Sequence, residues 1–449
     1  MLNALAKQNS DKIQENSLKK LDIFQIEKYY TNKKNNEFLF GLEYERLSLD
    51  KHTLENAPYI KMEKIISDFS KVMRWNLIYD NQLIIGAICD DGSSISLEPG
   101  CQIEVSLAPK KDILSIELAG LKIIKKLDEI ASLYDIVFVG YGISPVSSPD
   151  EIDMLQKRRY KVMSNYLPNR PYGELSSKMM RQTAGMQINI DYSDCEDLYL
   201  KLKFFNQIMP FMCALCSNSP LENNKLSDKK SLRANVWRFT GSERCNLFYK
   251  NIFDGVFSSK NVVRNYINSV LDVPMIFIER NNEIVEINGK ITFAEFMKNG
   301  YLNYNPTMED YILHQSLCFP DVRLKNYIEI RNHDSADFQM ALALCAFYKG
   351  LSFCDLEKIL SELNYLKIND VALLNKKIVF EGLDVRVTGK IDGWDVIVKL
   401  FNFAKEKLNA KERAYLQPIL NMIKNRKTNA DVIMDYNIDS ASDLIEFLY

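Results

Sequence analysis

Five short segments of this chain alternate between apolar and polar side chains, and this alternation constrains its fold most strongly. Successive side chains of a β-strand point to opposite faces of a sheet. Each segment is therefore predicted to form a strand with one apolar and one polar face. The segments cover residues 40–45, 101–106, 186–191, 231–236 and 327–331. We expect them to pair in an antiparallel sheet, which can bury one face alone.

The polar faces of these strands carry acids, amides and two arginines, and they carry no lysine. An ordinary solvent-facing side of a sheet usually mixes lysine and threonine with its acids. For any single strand, such a wet face remains the alternative interpretation. The principal side chains are Glu43, Glu45, Gln102, Glu104, Gln187, Asn189, Arg233, Glu329 and Arg331.

Several carboxylates on one face of a sheet repel one another unless cations lie between them. Clusters of oxygen ligands without cysteine or histidine suit Mg²⁺ or Mn²⁺. Arginine binds carboxylate and phosphate oxygens through paired hydrogen bonds. The pattern therefore predicts a site where a Mg²⁺–nucleotide complex meets a carboxylate substrate.

The overall composition narrows the class of protein. The chain has 449 residues, too many for one small module, and its formal net charge of -2 gives no reason to expect nucleic acid or an anionic membrane as a partner. No window reaches the roughly 20 apolar residues that span a bilayer. The first 37 residues lack the apolar stretch of a signal peptide, and the nine cysteines are irregularly spaced. We expect a cytoplasmic protein with small-molecule partners.

Helical periodicity divides the chain into three stretches. Residues 1–36 are predicted to form a helical segment, residues 37–355 a core of strands and helices, and residues 356–449 a mostly helical region packed on that core. The polar residues 221–230 are predicted to form a loop. The predicted fold class is α+β. Helices are expected near residues 10–30, 59–74, 112–134, 151–167, 195–216, 260–271, 308–317, 355–366, 396–408 and 412–425.

Ordered blocks of sequence between residues 25 and 355 resemble one protein family. They include 41–45 (GLEYE), 94–106 (SISLEPGCQIEVS), 159–163 (RYKVM), 187–191 (QINID), 231–237 (SLRANVW) and 319–331 (FPDVRLKNYIEIR). Each block alone is weakly specific. Together and in this order they resemble the glutamate–cysteine ligases of plants and proteobacteria, which belong with the glutamine-synthetase-like carboxylate–amine ligases.

The resemblance implies a curved antiparallel sheet that forms a glutamine-synthetase-like funnel, with helices outside and ATP at one end. It implies that Arg233 holds the substrate glutamate and that Gln187 and Asn189 line the metal and nucleotide site. It also implies catalytic roles for Glu329 and for Arg331, which would neutralise the transferred phosphate. The implied metal ligands are Glu43, Glu45, Glu104 and Glu329, with Glu98 nearby.

The same resemblance implies an activity. ATP, with Mg²⁺ or alternatively Mn²⁺, would drive the joining of glutamate to cysteine through γ-glutamyl phosphate, giving the first intermediate of glutathione synthesis. Two alternatives stay open: another ATP-dependent ligase or phosphotransferase on this scaffold, and a non-catalytic member. The exact amine and the oligomeric state also stay open. Departures from the family pattern occur at Tyr44, Arg46, Cys101, Arg158, Asn332 and His333.

Overall fold

A nine-stranded antiparallel sheet forms the centre of the part of the chain that the structure describes. The computed structural model describes residues 21–32, 37–245, 257–436, 438 and 440–448. The strands in these ranges are β1 (Phe40–Asp50), β2 (Asn76–Asp80), β3 (Leu83–Ile88), β4 (Ser94–Leu97), β5 (Ile103–Ser106), β6 (Ile136–Val139), β7 (Gly185–Ile190), β8 (Leu221–Glu222), β9 (Lys225–Leu226), β10 (Phe277–Arg280), β11 (Glu283–Glu286), β12 (Val322–Leu324) and β13 (Ile328–Asp334).

The order of strands across the sheet is β12-β13-β7-β1-β5-β4-β3-β2, and β6 pairs with the second half of β1. β8 pairs with β9, and β10 with β11, in two small hairpins. Every pair is antiparallel. The predicted α+β fold with an antiparallel sheet is thus confirmed.

Helices pack on the apolar side of the sheet and make up the C-terminal region. Phe338–Ser352 lies against β1 and β7, and it also contacts the helices Ile113–Ser132 and Gly393–Lys407. The other helices are Ile23–Thr31, Tyr59–Met73, Arg158–Tyr166, Ser176–Gln182, Cys195–Leu215, Leu232–Arg238, Ser242–Cys245, Val262–Leu271, Phe293–Asn299, Met308–Ser316, Leu356–Glu362, Ile368–Glu381, Ala410–Arg413, Gln417–Asn425, Asn429–Asp435 and Ala441–Leu448.

The second half of the helix Cys195–Leu215 is deeply buried. Every side chain from residue 204 to 215 is buried, because the helix lies between β13 and the helices Ile368–Glu381 and Gly393–Lys407. A helix that is apolar on all sides belongs in such an interior position. No helix within the described ranges is long and apolar enough to cross a bilayer.

Most helices predicted from the sequence are present, with changed boundaries. The helix expected at 151–167 begins only at Arg158, and the one expected at 412–425 is interrupted by a short 3-10 turn before Gln417. The predicted loop 221–230 contains the hairpin β8–β9, because Asn223 and Asn224 both adopt left-handed backbone angles that suit a tight turn. The start of the helix expected near residues 10–30 lies outside the described residues.

Candidate active site

Four glutamates share one region of the polar face, and we call them the acidic centre: Glu43 and Glu45 on β1, Glu104 on β5 and Glu98 directly after β4. Glu45 and Glu104 are direct neighbours in the register of β1 and β5. Each of the four side chains is partly accessible to solvent. The alternation of the sequence predicted Glu43, Glu45 and Glu104 on one face together with Glu329, whereas Glu98 was expected from the family resemblance alone. The structure places Glu43, Glu45, Glu98 and Glu104 in one region of that face.

Burial and mutual repulsion both disfavour ionisation of the carboxylates in the acidic centre. Burial and the neighbouring charges of Glu43 and Glu98 raise the pKa of Glu104 to about 8. This occurs although the hydroxyls of Ser96 and Ser106 donate to its carboxylate at 2.7 and 3.1 Å. Burial likewise raises the pKa of Glu45 and of Glu98. Ionised carboxylates here therefore favour a bound cation.

Two amides of β7 lie beside the acidic centre. Gln187 donates to Glu45 Oε1 at 2.6 Å, and Asn189 donates to Glu43 Oε1 at 2.9 Å. The side-chain oxygens of both amides are buried and find no hydrogen-bond donor among the described residues. Unpaired buried acceptors are uncommon in folded proteins, so these two oxygens are available to a ligand.

The chemistry of these donors fits a hard divalent cation. Carboxylate and amide oxygens are the ligands that Mg²⁺ prefers, and Mg²⁺ usually shares its coordination with water and substrate phosphates. In the part of the chain that the structure describes, no three carboxylate, imidazole or thiolate groups converge closely enough to hold a metal alone. A cation bound here would therefore take further ligands from a substrate.

Glu329 has a different environment from the acidic centre. Its fully buried carboxylate accepts from Arg323 Nε at 2.5 Å and Lys325 Nζ at 2.9 Å, and Arg331 Nη1 lies 3.2 Å away. Although burial opposes ionisation, these three cations hold the pKa of Glu329 well below its usual range. Arg323, Lys325 and Arg331 form what we call the cationic edge, since β12 is the edge strand of the sheet.

Sequence reasoning missed part of the cationic edge. Lys325 and Arg323 lie outside the five alternating segments, and neither was singled out as a site residue. A hairpin predicted at residues 322–334 would have paired Arg323 with Glu329 and so indicated the contact between them. Two further cations near Glu98 were also missed: Lys157, whose pKa is lowered to about 8 by burial and by Arg159, and Arg159 itself.

Arg233 lies on a helix, and the predicted strand at 231–236 is wrong. Ser231 caps the helix Leu232–Arg238 by accepting from the backbone N–H of Ala234 at 3.0 Å. Leu232 and Val236 lie four residues apart, so this short segment fits a helical period as well as an alternating one.

The side chain of Arg233 nevertheless reaches the polar face. It is 2% exposed, and its Nη2 donates to the carbonyl of Arg331 at 3.1 Å. Nε and Nη1 find no acceptor within the described residues. The guanidinium packs so closely on Gly185 that a Cβ at that position would overlap it. A buried guanidinium with two free donors is ready to bind a carboxylate.

His333 does not join the site. A register shift between Ile330 and His333 turns the imidazole toward the core, where it contacts the Tyr348 hydroxyl at 2.8 Å and the Met186 carbonyl at 3.1 Å. Burial lowers the pKa of His333 to about 4. Its role is structural.

An acidic centre next to a cationic edge on one antiparallel sheet is typical of proteins that bind phosphate and carboxylate groups. The model of glutamate-cysteine ligase family 2 matches residues 39–373, and the chain belongs to this family of ligases. The resemblance drawn from the motifs is thus confirmed.

Individual relatives agree with this placement. The chain is 28% identical over 414 residues to the chloroplastic glutamate–cysteine ligase of Nicotiana tabacum, with 90% of this chain and 77% of that protein covered. It is 28% identical over 419 residues to the chloroplastic enzyme of Arabidopsis thaliana, with the same coverage. Its fold is similar to the crystal structure of a Francisella tularensis glutamate–cysteine ligase in complex with AMP, with a TM-score of 0.54, 12% identity, and 90% of this chain and 85% of that chain covered.

The predicted cytoplasmic location is wrong, because it disagrees with the location of these relatives. The proteins from Nicotiana tabacum, Oryza sativa and Arabidopsis thaliana are all chloroplastic, which contradicts the cytoplasmic expectation. The sequence argument failed because it tested only for an apolar secretory signal. Transit peptides to plastids are polar and amphipathic, so the lack of an apolar stretch does not argue against them.

Proposed function

We propose that this protein joins the γ-carboxylate of glutamate to the amine of cysteine at the expense of ATP. The products are γ-glutamylcysteine, ADP and phosphate, and the reaction is the first step of glutathione synthesis. The observation that carries the proposal is the free, buried guanidinium of Arg233 between the acidic centre and the cationic edge. Such a site offers a carboxylate position next to a phosphate position.

Arg233 binds a carboxylate of glutamate. Its Nε and Nη1 are the unpaired donors, and Nη2 is fixed by the Arg331 carbonyl, so the guanidinium holds one orientation. Paired hydrogen bonds from a fixed guanidinium fit the two oxygens of a carboxylate. Glu45 lies near enough for the charge of Arg233 to act on it, which places the bound substrate beside the acidic centre.

The first chemical step transfers the γ-phosphate of ATP to glutamate. An oxygen of the γ-carboxylate attacks the phosphorus, and the bond to the ADP oxygen breaks. Because little covalent help is needed, the protein acts by positioning the reactants and stabilising charge. Arg331 is 17% exposed beside the buried Glu329, so its guanidinium can meet the charge that builds up on the transferring phosphoryl oxygens.

The second step forms the amide. The amine nitrogen of cysteine attacks the carbonyl carbon of γ-glutamyl phosphate, the carbon–oxygen bond to phosphate breaks, and the nitrogen loses a proton. The departing phosphate keeps the oxygen that came from glutamate. The cationic edge stabilises this leaving group, because its three cations outnumber the carboxylates that act on them, Glu329 and, less strongly, Glu43.

The acidic centre would hold Mg²⁺, or Mn²⁺ in its place, through Glu43, Glu45, Glu98 and Glu104, with Gln187 and Asn189 beside them. When bound, such an ion neutralises phosphate oxygens and orients the nucleotide. Glu329 stays a predicted metal ligand. Its carboxylate also forms an ion pair with Arg331 and so holds that guanidinium in place.

Incubation with ATP, Mg²⁺, glutamate and a panel of amines tests the proposal. We expect ADP release that requires glutamate and is highest with cysteine, together with a product of the mass of γ-glutamylcysteine. ADP release that depends on glutamate but favours another amine would instead indicate a different carboxylate–amine ligase. No ADP release with any amine would indicate a non-catalytic member.

A further inference from the structure

The helix Ile23–Thr31 lies against the cationic edge, although it precedes the residues matched by the family model, which begin at 39. Tyr30 of this helix is fully buried. Its hydroxyl contacts the Tyr311 hydroxyl at 2.7 Å and accepts from Gln315 Nε2 at 2.6 Å. The same Gln315 amide also donates to the carbonyl of Leu324 in β12. The helix is therefore linked to the end of β12 through buried hydrogen bonds.

Two further hydrogen bonds reach the segment that follows. The hydroxyl of Tyr192 bonds to the backbone carbonyl of Tyr30 at 2.7 Å and to that of Lys325 at 3.5 Å. The hydroxyl of Tyr29 lies near the backbone of Asn326 and the charge of Lys325, and both act on its pKa. Residues 324, 325 and 326 are thus each tied to the N-terminal helix or to a residue that contacts it.

Lys325 is the most exposed member of the cationic edge, and besides Glu329 it donates to the Tyr327 hydroxyl at 3.2 Å. Arg323 is 5% exposed and donates to the carbonyls of Ser316 and Cys318 as well as to Glu329. The side chain of Lys325 is 23% exposed and shares Glu329 with two arginines. Glu329 and, less strongly, Glu43 are the carboxylates that act on Arg323 and Lys325. Two carboxylates cannot neutralise the three cations of the cationic edge, so an anion is favoured here.

We propose that the N-terminal helix positions the nucleotide site, because Tyr29 and Tyr30 hold residues 324–326 and so present Lys325 to the phosphate groups of ATP. Lys325 contacts the ligand, and the two tyrosines are positioning residues that act through it. The inference rests on the proposed function, since it takes the phosphate groups at the cationic edge to be those of a nucleotide.

Binding of a non-hydrolysable β,γ-imido analogue of ATP, measured by calorimetry with Mg²⁺, tests the inference. We expect Lys325→Met to weaken binding about 10-fold, and Tyr29→Phe about 3-fold because it removes the hydroxyl that lies beside the Asn326 backbone. If Tyr29 acts through Lys325, the double variant binds no more weakly than Lys325→Met alone. Lys325→Arg should keep most of the affinity.

Glu27→Gln is the matched control. It removes the ion pair between Glu27 and Arg264, 2.5 Å long, which joins the same helix to the helix Val262–Leu271 and involves none of residues 324–326. We expect it to leave the affinity for the analogue unchanged. Normal binding by Lys325→Met, or additive losses in the double variant, would overturn the inference. If the wild-type protein still forms γ-glutamylcysteine, the proposed function remains intact. Failure of the wild type both to bind the analogue and to release ADP would overturn both.

Discussion

The guanidinium of Arg331 lies 3.2 Å from the carboxylate of Glu329, two residues earlier on the same face of β13. Glu329 is fully buried, whereas the side chain of Arg331 is 17% exposed. This arrangement differs from an exposed ion pair, which is worth under ~1 kcal/mol and would leave catalysis unchanged when broken. Arg331 is anchored on one side and free to contact a ligand on the other.

Replacing Arg331 by alanine should therefore impair phosphoryl transfer. We expect Arg331→Ala to slow acyl-phosphate formation by at least ~10²-fold, with a modest change in ATP binding, because charge on the transferring oxygens loses its partner. A single-turnover experiment with rapid quenching measures this step directly. Near-normal rates in the variant would remove Arg331 from the mechanism.

Arg233 and Gly185 should act together on glutamate binding. We expect Arg233→Lys to raise the KM for glutamate by ~10-fold or more, because lysine cannot reproduce the paired hydrogen bonds. Gly185→Ala should change the KM in the same direction, since its Cβ would displace the guanidinium. Steady-state kinetics with each substrate varied in turn checks both variants. An equal rise in the KM for ATP would place Arg233 at the nucleotide instead.

The sequence predicts the acidic centre well and the cationic edge poorly, for a physical reason. Glu43 and Glu45 lie on β1, which has 11 residues and shows a period of two clearly. Glu104 lies opposite Glu45 once the shorter β5 pairs with β1. Lys325 lies in the short connection between β12 and β13, so its approach to Glu329 depends on the geometry of a hairpin. Alternation alone contains no such information.

Arg233 illustrates a second limit. A segment of six residues can satisfy both the helical and the alternating period, and here the cap at Ser231 decides for a helix. The contact of Tyr29 with residues 325 and 326 joins parts of the chain that are remote in sequence. Only tertiary packing brings these residues together.

Removing a charge from the acidic centre and removing the charge of Glu329 should have opposite effects on the stability of the metal-free protein. We expect Glu104→Gln to leave the metal-free protein as stable as the wild type or more so, because repulsion and burial already raise the pKa of Glu104 to about 8. Turnover with Mg²⁺ should fall by ~10²-fold. Thermal unfolding in a chelator and an ADP assay measure the two effects.

Glu329→Gln provides the contrast. It leaves Arg323 buried without its carboxylate, and breaking a buried ion pair costs about 3–5 kcal/mol. The variant should therefore unfold at a lower temperature as well as lose activity. Equal destabilisation by Glu104→Gln would contradict the distinction between the acidic centre and the cationic edge.

Two buried histidines should make the protein sensitive to acid. Burial lowers the pKa of His314 to about 3 and that of His333 to about 4. Both imidazoles are neutral in the folded protein but gain a proton in the unfolded chain below about pH 6.5. Stability is therefore present above this pH and is lost as the pH falls, by about 1.4 kcal/mol per pH unit for each histidine.

Urea unfolding at pH 7 and pH 5 measures this slope. His333→Gln should reduce the pH dependence by the share of one histidine, whatever it does to stability at pH 7. A slope that is the same in the variant and the wild type would show that His333 does not contribute.

The transfer of an oxygen atom tests the central claim most directly. Glutamate labelled with ¹⁸O in its γ-carboxylate is incubated with the enzyme, ATP, Mg²⁺ and cysteine, and the inorganic phosphate is analysed by mass spectrometry. If γ-glutamyl phosphate is the intermediate, one ¹⁸O atom appears in phosphate for each γ-glutamylcysteine formed. Unlabelled phosphate alongside the same amount of product would contradict activation of glutamate by phosphoryl transfer.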